Sequence, residues 1–357
     1  MEKVNNMLVI NARNANDALG QGIQLIQESA EAIESRVGMT LEVPMPVATV
    51  YHKPWERVLL SKVRDANPFF HLMEAMWIIA GRKDVKFLTE FNKRMADYSD
   101  DGEVFNAPYG HRMRNHFPSV YEGETTLDQL KTAIGILRND PNSRQAVVQI
   151  WDSIDLAPEI NTKDKACNMS IVFRIRNGEL CVTVYNRSND MIWGAYGANV
   201  VQFSMIQEYV AAQLGLPLGT YTQVSNSYHV YTTGAGGKVW DRLVESYNAD
   251  KDIYDSVVNN QVYMMDYDMP AMDHDLAMFF NCYDQFGIDE LGEMRCWQSQ
   301  YFNQLIMPVL CIYLIHKQHG PTQALKYTHT IQSDDWRIAC EDWLSNREEA
   351  RKAKEVK

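Results

Sequence analysis

The sequence lacks the features that mark secreted, zinc-binding and membrane proteins. Its 357 residues include only 6 cysteines, and no two of them have CxxC spacing. Scattered cysteines of this kind predict free thiols in a reducing cytoplasm and no metal site. The most apolar later stretch, residues 305–315, is too short to span a membrane, and it contains Pro308. The first residues do not form a signal peptide.

The chain also lacks an excess of positive charge. It has 46 acidic and 34 basic residues, which gives a net charge of -12. Because a nucleic-acid polymer is bound through a basic surface, this balance argues against such a partner. A single nucleotide needs only a few local arginines for its phosphate, so a nucleotide is the favoured partner. The hydrophobic content of 46% predicts a large folded core.

Apolar residues with periods of two and of about 3.6 predict an α+β protein with a mixed sheet flanked by helices. Asn177-Gly178, between two alternating segments, predicts a tight hairpin. Helices are predicted at 16–34, 68–80, 84–95, 126–138 and 198–214, and strands or extended segments at 7–14, 39–54, 146–152, 169–188 and 221–231.

The chain after Tyr231 is predicted to be mostly helical, with a charged and frayed tail. We expect one domain over residues 1–357, with a core at about 8–235 and a helical extension at about 236–357. A separate C-terminal domain starting near residue 235 is the alternative.

Two segments contain residues suited to covalent chemistry and anion binding. Cys167 lies where a charged loop meets a predicted strand, and a thiol there is a nucleophile if a neighbour lowers its pKa. Residues 185–199 place an Arg-Ser pair, two glycines and several amide side chains before a long helix. An arginine followed by serine suits a phosphate, and asparagine suits the edge of a base.

Six segments in the same order resemble thymidylate synthase and its pyrimidine-nucleotide hydroxymethylase relatives. They are HLMEAMWIIAG, APYGHRMR, DPNSRQAVVQIWD, ACNMSIVFRI, YNRSNDMIWGAYGAN and SNSYHVY. The resemblance covers roughly residues 20–235 and implies a thymidylate-synthase-like fold with a homodimeric assembly. The region after about residue 240 does not match the usual synthase C-terminus.

The resemblance implies four catalytic residues. Cys167 matches the nucleophile that adds to carbon 6 of the pyrimidine, and Asp190 matches an aspartate that helps to hold the base and the folate. Glu74 matches the glutamate that organises water, and Tyr109 matches the tyrosine of the proton-transfer network. Apolar neighbours of Glu74 in its helix favour a buried position, where the pKa of a carboxyl rises.

The same comparison implies how the phosphate is bound. Arg187 and Ser188 match phosphate-binding residues, and Arg187 would also lower the pKa of the thiol. Arg144 matches an arginine that reaches the phosphate in the neighbouring subunit, and Arg36 matches a mobile phosphate-binding arginine. Gln145 stands where synthases carry a second phosphate-binding arginine.

The implied base and sugar contacts leave one alternative open. His229 and Tyr231 match the pair that holds the sugar hydroxyl, and Asn199 matches the asparagine that binds the pyrimidine edge. An asparagine fits uracil, whereas an aspartate suits cytosine. The match at Asn199 requires one inserted residue, so Ala198 is the alternative occupant of that position.

Three departures from the synthase pattern favour water over hydride as the final nucleophile. Segment 91–102 lacks the two tryptophans that synthases place against the folate and has Met95 and Tyr98 instead. Asn168 follows the cysteine where synthases have histidine, and the synthase C-terminal residues that cap the site are absent. These departures imply a site that admits an ordered water.

The leading hypothesis is a deoxyuridylate (dUMP) hydroxymethylase that uses 5,10-methylenetetrahydrofolate and no metal. Bacteriophages use enzymes of this kind to make modified DNA bases, which implies action in the host cytoplasm. The alternatives are a thymidylate synthase, a deoxycytidylate or cytidylate hydroxymethylase, and a catalytically silent relative that binds nucleotide or RNA.

Overall fold

A computed structural model describes most of the chain and divides it into ten strands and a set of helices. The described residues are 6–35, 38–157, 161–246, 254–255, 262–265 and 269–355. The strands are β1 (Leu8–Ala12), β2 (Glu31–Ser35), β3 (Gly38–Val43), β4 (Val47–Tyr51), β5 (Val147–Gln149), β6 (Asn168–Arg176), β7 (Glu179–Asn186), β8 (Asn189–Asp190), β9 (Leu218–Ser225) and β10 (Tyr228–Tyr231).

The α-helices occupy the start, the centre and the C-terminal third of the chain. They are α1 (Ala15–Ser29), α2 (Pro68–Ile79), α3 (Val85–Phe91), α4 (Gln129–Asn139), α5 (Asn199–Leu214), α6 (Gly234–Ser246), α7 (Met269–Phe286), α8 (Ile288–Glu293), α9 (Met307–His319), α10 (Pro321–Leu325) and α11 (Asp334–Glu355). The described chain also contains a helical turn, Tyr109–His111, and three π-helices, Arg112–His116, Met191–Ala198 and Phe302–Ile306.

The larger sheet has six strands in the order β1-β4-β9-β7-β6-β5. It is mixed, because β7 is parallel to β9 but antiparallel to β6. The tight turn between β6 and β7 has positive φ at both Asn177 and Gly178, which explains the Asn-Gly pair. The α+β class, the mixed sheet and the hairpin are therefore confirmed.

Helix α5 lies in the interior and carries much of the site. All residues from Asn199 to Ala212 are buried, including four polar side chains after the first turn. A helix that is buried on every face packs in the core rather than at the surface. It packs against α2, which begins at Pro68 under the cap provided by Asn67.

A second sheet of four strands corrects the predicted first helix. The helix was predicted to continue through residue 34, but α1 ends at Ser29 and the chain turns extended at Ala30. Strand β2 then pairs with β3 in an antiparallel hairpin, so pairing overrides the helical spacing of Ile33. Arg36 lies outside the described residues.

The C-terminal helices pack against the same core as α2. The ring of Phe69 on α2 lies 5.3 Å from that of Tyr313 on α9 and 5.3 Å from that of Trp343 on α11. The tail was predicted to fray, yet α11 extends to Glu355. Helix α3 is shorter than predicted and is followed by a 3-10 helix, Lys93–Tyr98.

Candidate active site

The hairpin of β6 and β7 brings Cys167 beside Arg187. These residues precede β6 and follow β7, and the Arg187 backbone N–H donates to the Cys167 carbonyl over 2.9 Å. The Arg187 guanidinium lies 3.8 Å from the Cys167 sulfur. The thiol is half-buried, so it faces neither a closed hydrophobic interior nor open solvent.

The Arg187 guanidinium is held by neutral groups. Its Nε donates to the Ala166 carbonyl over 2.8 Å, and its Nη2 donates to the Lys165 carbonyl over 3.1 Å. The group also lies over the Trp151 ring, 5.4 Å from the centroid. It forms no ion pair within the part of the chain that the structure describes. Its positive charge is therefore not neutralised by a neighbouring carboxylate. A phosphate site requires such an unpaired positive charge.

Burial and Arg187 act on the Cys167 thiol in opposite directions. Burial raises the pKa of Cys167, and the positive charge of Arg187 lowers it by a smaller amount. The expected effect of Arg187 is present, but the pKa of the thiol remains above its ordinary value. A thiol whose pKa is raised in this way keeps its proton until more positive charge or a base reaches it.

Glu74 on α2 is a buried carboxyl with an amide partner. Gln202 on α5 donates a hydrogen bond of 2.7 Å to Glu74 Oε2. Burial raises the pKa of Glu74 to about 7, although the Gln202 hydrogen bond favours the charged form. Both protonation states are accessible at neutral pH, which suits a group that accepts and returns a proton.

Tyr109 interacts electrostatically with both this carboxyl and the thiol. Burial, and then the negative charge of an ionised Cys167, raises the pKa of the Tyr109 phenol well above its ordinary value. The charge of Glu74 acts in the same direction, while a backbone hydrogen bond with Cys167 lowers the pKa. The Tyr109 ring stacks with that of Phe203 on α5 at a centroid distance of 6.1 Å. The phenol therefore stays protonated as a hydrogen-bond donor.

The segment that carries Tyr109 is fixed from two sides. Gly110 approaches the Ile78 carbonyl of α2 so closely that a Cβ would collide with it. Arg112 then forms a buried ion pair with Asp155 through two hydrogen bonds of 2.5 and 2.8 Å. Backbone contact and a buried bidentate pair together restrict the orientation of the phenol.

Asp190 and His229 are neighbours in the small sheet, where β8 and β10 pair in parallel. Asp190 Oδ1 accepts a hydrogen bond of 2.6 Å from the Trp193 backbone N–H. Its Oδ2 is buried and has no hydrogen-bond partner among the described residues. Burial raises the pKa of Asp190, and the Trp193 N–H and then the charge of His229 lower it.

Asn199 opens α5 within a cluster of amide side chains. Its Nδ2 donates to Asn189 Oδ1 over 3.2 Å and to Asn168 Oδ1 over 3.3 Å. Asn199 is 8% exposed, whereas Asn168 is fully buried. Asn168 Nδ2 has no hydrogen-bond partner within the described ranges. The structure thus places Asn199, and not Ala198, among these amides.

The remaining predicted residues lie at different distances from this centre. Ser188 follows Arg187 and is half-buried. His229 Nδ1 lies 3.1 Å from Ser227 Oγ, and the ring of Tyr231 is 5.4 Å from that of His229. Arg144 is exposed and lies on the turn before β5. Strand β5 is one edge of the large sheet, and β1 is the other edge.

Sequence reasoning missed residues that support this centre. They are Trp151, Gln202 and Gln223. Gln202 had a detectable signal, because it follows Asn199 by three positions and so shares its helix face. Trp151 follows β5 and Gln223 lies in β9, and no spacing along the chain links either of them to Cys167.

Neither a metal-binding cluster nor a membrane-spanning helix occurs among the described residues. No group of three or more histidine, cysteine, aspartate or glutamate side chains there could hold a metal ion. None of the helices described is both long and apolar enough to cross a membrane.

The fold and the cluster around Cys167 define a nucleotide-modifying enzyme built on a mixed sheet. The family model of thymidylate synthase matches residues 28–278. The chain belongs to the thymidylate synthase family. Members of this family transfer a one-carbon unit to a pyrimidine nucleotide with a folate co-substrate, so the chain is a one-carbon transferase.

Phage proteins are prominent among the relatives. The chain is 36% identical to the deoxyuridylate hydroxymethyltransferase of Pseudomonas phage M6, over 98% of this chain and 97% of that protein. It is 41% identical to the deoxyuridylate hydroxymethyltransferase of Bacillus phage SP01, over 60% of this chain and 56% of that protein. It is 28% identical to a putative thymidylate synthase of Methanosarcina barkeri, over 62% of this chain and 89% of that protein.

Proposed function

We propose that the chain is a dUMP hydroxymethylase that converts dUMP, 5,10-methylenetetrahydrofolate and water into 5-hydroxymethyl-dUMP and tetrahydrofolate. The observation that carries the proposal is the Cys167 sulfur 3.8 Å from the Arg187 guanidinium, which has no carboxylate partner in the described chain. The similarity to the phage M6 protein over almost the full length of both chains supports the choice of substrate.

The first step is addition of the Cys167 thiolate to carbon 6 of uracil. The new S–C bond moves the carbon 5–carbon 6 electron pair towards the base oxygen as an enolate, which makes carbon 5 nucleophilic. Arg187 favours the thiolate, because its positive charge opposes the effect of burial on the pKa of Cys167. Ser188 and Arg187 hold the phosphate, while His229 and Tyr231 hold the sugar hydroxyl.

Carbon 5 then attacks the methylene carbon of the folate co-substrate and must lose its proton. Glu74, with a pKa of about 7, is the group suited to take that proton through water. Tyr109 keeps its own proton because its pKa is raised, so it orients the water and donates a hydrogen bond. Departure of tetrahydrofolate leaves an exocyclic methylene on the covalently bound base.

Water completes the reaction by adding to that methylene. The new C–O bond forms as electrons return to the ring, a proton leaves the water, and expulsion of Cys167 restores the double bond between carbons 5 and 6. The buried and unpartnered Nδ2 of Asn168, the residue after the nucleophile, is a donor that an ordered water satisfies. Because no hydride is taken from the folate, it leaves as tetrahydrofolate rather than dihydrofolate.

The residues around Asp190 fit a folate. Its buried Oδ2 lacks a partner in the described structure, and ring N–H groups of a pterin are donors that would satisfy it. Trp193 lies three residues further on and is 40% exposed, so its ring offers a face for stacking. Both residues would hold the co-substrate beside the base.

The C-terminal helices lie mostly beyond the part of the chain that the family model matches. The family model ends at residue 278, and the Methanosarcina barkeri relative aligns with only 62% of this chain. The phage M6 hydroxymethyltransferase aligns with 98% of it and so shares the helices beyond residue 278. We propose that this shared region replaces the synthase C-terminus in closing the site.

Assembly and cellular location extend the proposal. Exposed Arg144 is suited to contact the phosphate bound by a second copy of the chain, which requires a homodimer. Since the phage relatives would act during infection, the proposed location is the cytoplasm of the host bacterium.

Mass spectrometry of the nucleotide product tests the function directly. Purified protein with dUMP and 5,10-methylenetetrahydrofolate is expected to yield hydroxymethyl-dUMP and tetrahydrofolate. A Cys167→Ala control is expected to lose turnover but to keep its dUMP affinity within about tenfold, which is ~1.4 kcal/mol. Methylated product with dihydrofolate would identify a thymidylate synthase instead. Turnover of dCMP or CMP alone would identify a cytosine enzyme, and no product would indicate a silent binder.

A further inference from the structure

An asparagine side chain does not by itself distinguish uracil from cytosine. Uracil presents a carbonyl oxygen and a ring N–H, whereas cytosine presents an amino group and a bare ring nitrogen. The amide of Asn199 matches the first pattern in one orientation and the second after a half-turn of its terminal amide, because its oxygen and nitrogen exchange places. Any preference between the bases therefore requires that this half-turn be prevented.

The structure contains a chain of buried amides that ends at a group with fixed polarity. Gln223 Nε2 lies 3.0 Å from the Ala195 carbonyl, which can only accept a hydrogen bond. The Tyr51 hydroxyl donates to the same carbonyl over 3.3 Å and accepts from Gln223 Nε2 over 2.9 Å. The orientation of the Gln223 amide is thereby fixed, and its Oε1 points away from Ala195.

The fixed orientation of the Gln223 amide determines that of Asn199 through Asn189, which lies between them. Gln223 Oε1 accepts from Asn189 Nδ2 over 2.8 Å, so Asn189 must present Oδ1 on its other side. Asn189 Oδ1 accepts from Asn199 Nδ2 over 3.2 Å. Asn199 Oδ1 is consequently the atom left without a partner among the described residues, and it can accept from a ring N–H.

Burial prevents the chain of amides from reversing. Gln223 is 1% exposed and Asn189 is 2% exposed, so water cannot replace a reversed hydrogen bond. A Cβ at Gly194 would lie 2.7 Å from Asn189 Oδ1, which shows how closely the backbone covers this amide. Turning any one amide would place two acceptors or two donors face to face, at a cost characteristic of a buried unsatisfied group.

We infer that Asn189 and Gln223 are positioning residues that set base specificity by locking Asn199 in the orientation that accepts from the ring N–H of uracil. Cytosine would present a lone pair to Asn199 Oδ1 and be rejected. This inference rests on the proposed function, in which Asn199 contacts the base.

Calorimetric titration with dUMP and with dCMP tests the inference without requiring turnover. Gln223→Met removes the anchor at nearly constant volume. The dCMP-to-dUMP ratio of Kd values is expected to fall by about tenfold or more, the effect of one mismatched hydrogen bond. The fall should come partly from tighter dCMP binding, which a merely structural defect would not produce.

Gln207→Met is the matched control. Gln207 is also fully buried and lies on α5, and it donates to the carbonyls of Leu180 and Gly219 over 2.8 and 3.0 Å. Gln207 has no hydrogen bond to the chain of amides formed by Gln223, Asn189 and Asn199. Loss of the Gln207 amide should therefore leave the Kd ratio unchanged. If Gln223→Met does not fold, Asn189→Ala interrupts the same chain and is measured in its place.

The outcomes separate the inference from the function on which it rests. The locking role would be overturned if the dCMP-to-dUMP Kd ratio fell no further in Gln223→Met, or in Asn189→Ala, than in Gln207→Met. Failure of the natural chain to bind either nucleotide would instead refute the proposed function.

Discussion

At the scale of single residues, the unusual feature is a carboxyl placed in an apolar helix. Every residue of α2 is buried, and Glu74 is the only carboxylate among them. Its pKa of about 7 results from burial, which Gln202 offsets only in part. The charged form of this buried carboxyl lowers the stability of the fold. In return, the carboxyl can accept and release a proton near neutral pH, as proton transfer in catalysis requires.

Glu74→Gln is expected to raise stability at alkaline pH and to abolish turnover. The folded pKa of about 7 lies above the ordinary value of 4.5, so the folded state binds more protons between these values. Stability of the natural chain therefore falls as pH rises from about 4.5 to 7, by on the order of 3 kcal/mol in all. Glutamine removes that loss.

Urea unfolding at pH 5 and pH 8 measures this effect. The free energy of unfolding of Glu74→Gln, relative to the natural chain, should increase by about 2 kcal/mol between these pH values. If the relative free energy of unfolding does not increase, the Glu74 carboxyl is already ionised at both pH values in the folded protein.

At the scale of elements, a π-helix directly precedes the asparagine that is proposed to contact the base. The resemblance requires one inserted residue before Asn199, and the structure has the π-helix Met191–Ala198 at this point. A π-helix takes up an extra residue within a helical segment. The insertion is absorbed before α5 begins, so Asn199 remains directed at Asn189 and Asn168 while Ala198 does not replace it.

Gly110→Ala is expected to weaken turnover and to destabilise the fold by about 1–3 kcal/mol, the range for overpacking. The new methyl would collide with the Ile78 carbonyl and move the helical turn that carries Tyr109. Thermal unfolding and steady-state kinetics measure the two effects.

Gly135→Ala provides the comparison, because the residue is in α4 and a Cβ there would meet no atom within 4 Å beyond its chain neighbours and the backbone of its own helix. This variant should be unchanged or more stable by about 1 kcal/mol. Equal behaviour of the two variants would argue against close contact at Gly110.

At the scale of the whole molecule, the C-terminal helices and the catalytic core share aromatic contacts. We propose that residues 1–357 form one domain, because α9 and α11 pack on α2, the helix that carries Glu74. Trp343→Ala should lower the free energy of unfolding by about 3 kcal/mol through lost packing on Phe69.

Unfolding of this variant followed by near- and far-ultraviolet circular dichroism should show one coincident transition. Phe286→Ala is the control, since that ring is 64% exposed and its loss should cost less than about 0.5 kcal/mol. Two separate transitions would support an independent C-terminal domain.

Subunit mixing tests the proposed dimer and the role of Arg144. Arg144→Ala and Cys167→Ala should each have little activity alone. Co-refolded together, they should regain up to about a quarter of natural activity, because half of the subunits in random dimers are in mixed pairs and each pair has one intact site. No recovery would show that Arg144 does not act across an interface.

The sequence by itself determined the structural class and several local elements of the core. Two-residue alternation and Asn177-Gly178 specify the β6–β7 hairpin locally, and Asn67-Pro68 specifies the start of α2. The six segments in order also indicated the family and the residues proposed for the site. The hairpin and the helix start depend on neighbours within a few positions, and the order of the segments is itself a property of the linear sequence.

Only the tertiary structure decided which side chains act on one another. The conversion of residues 31–35 from predicted helix to strand depends on pairing with β3. The opposing effects of burial and Arg187 on Cys167, and the orientation of Asn199 through Asn189 and Gln223, depend on contacts across strands. Hydrogen-bond polarity and desolvation are properties of distance in space, and the spacing of residues along the chain does not encode them.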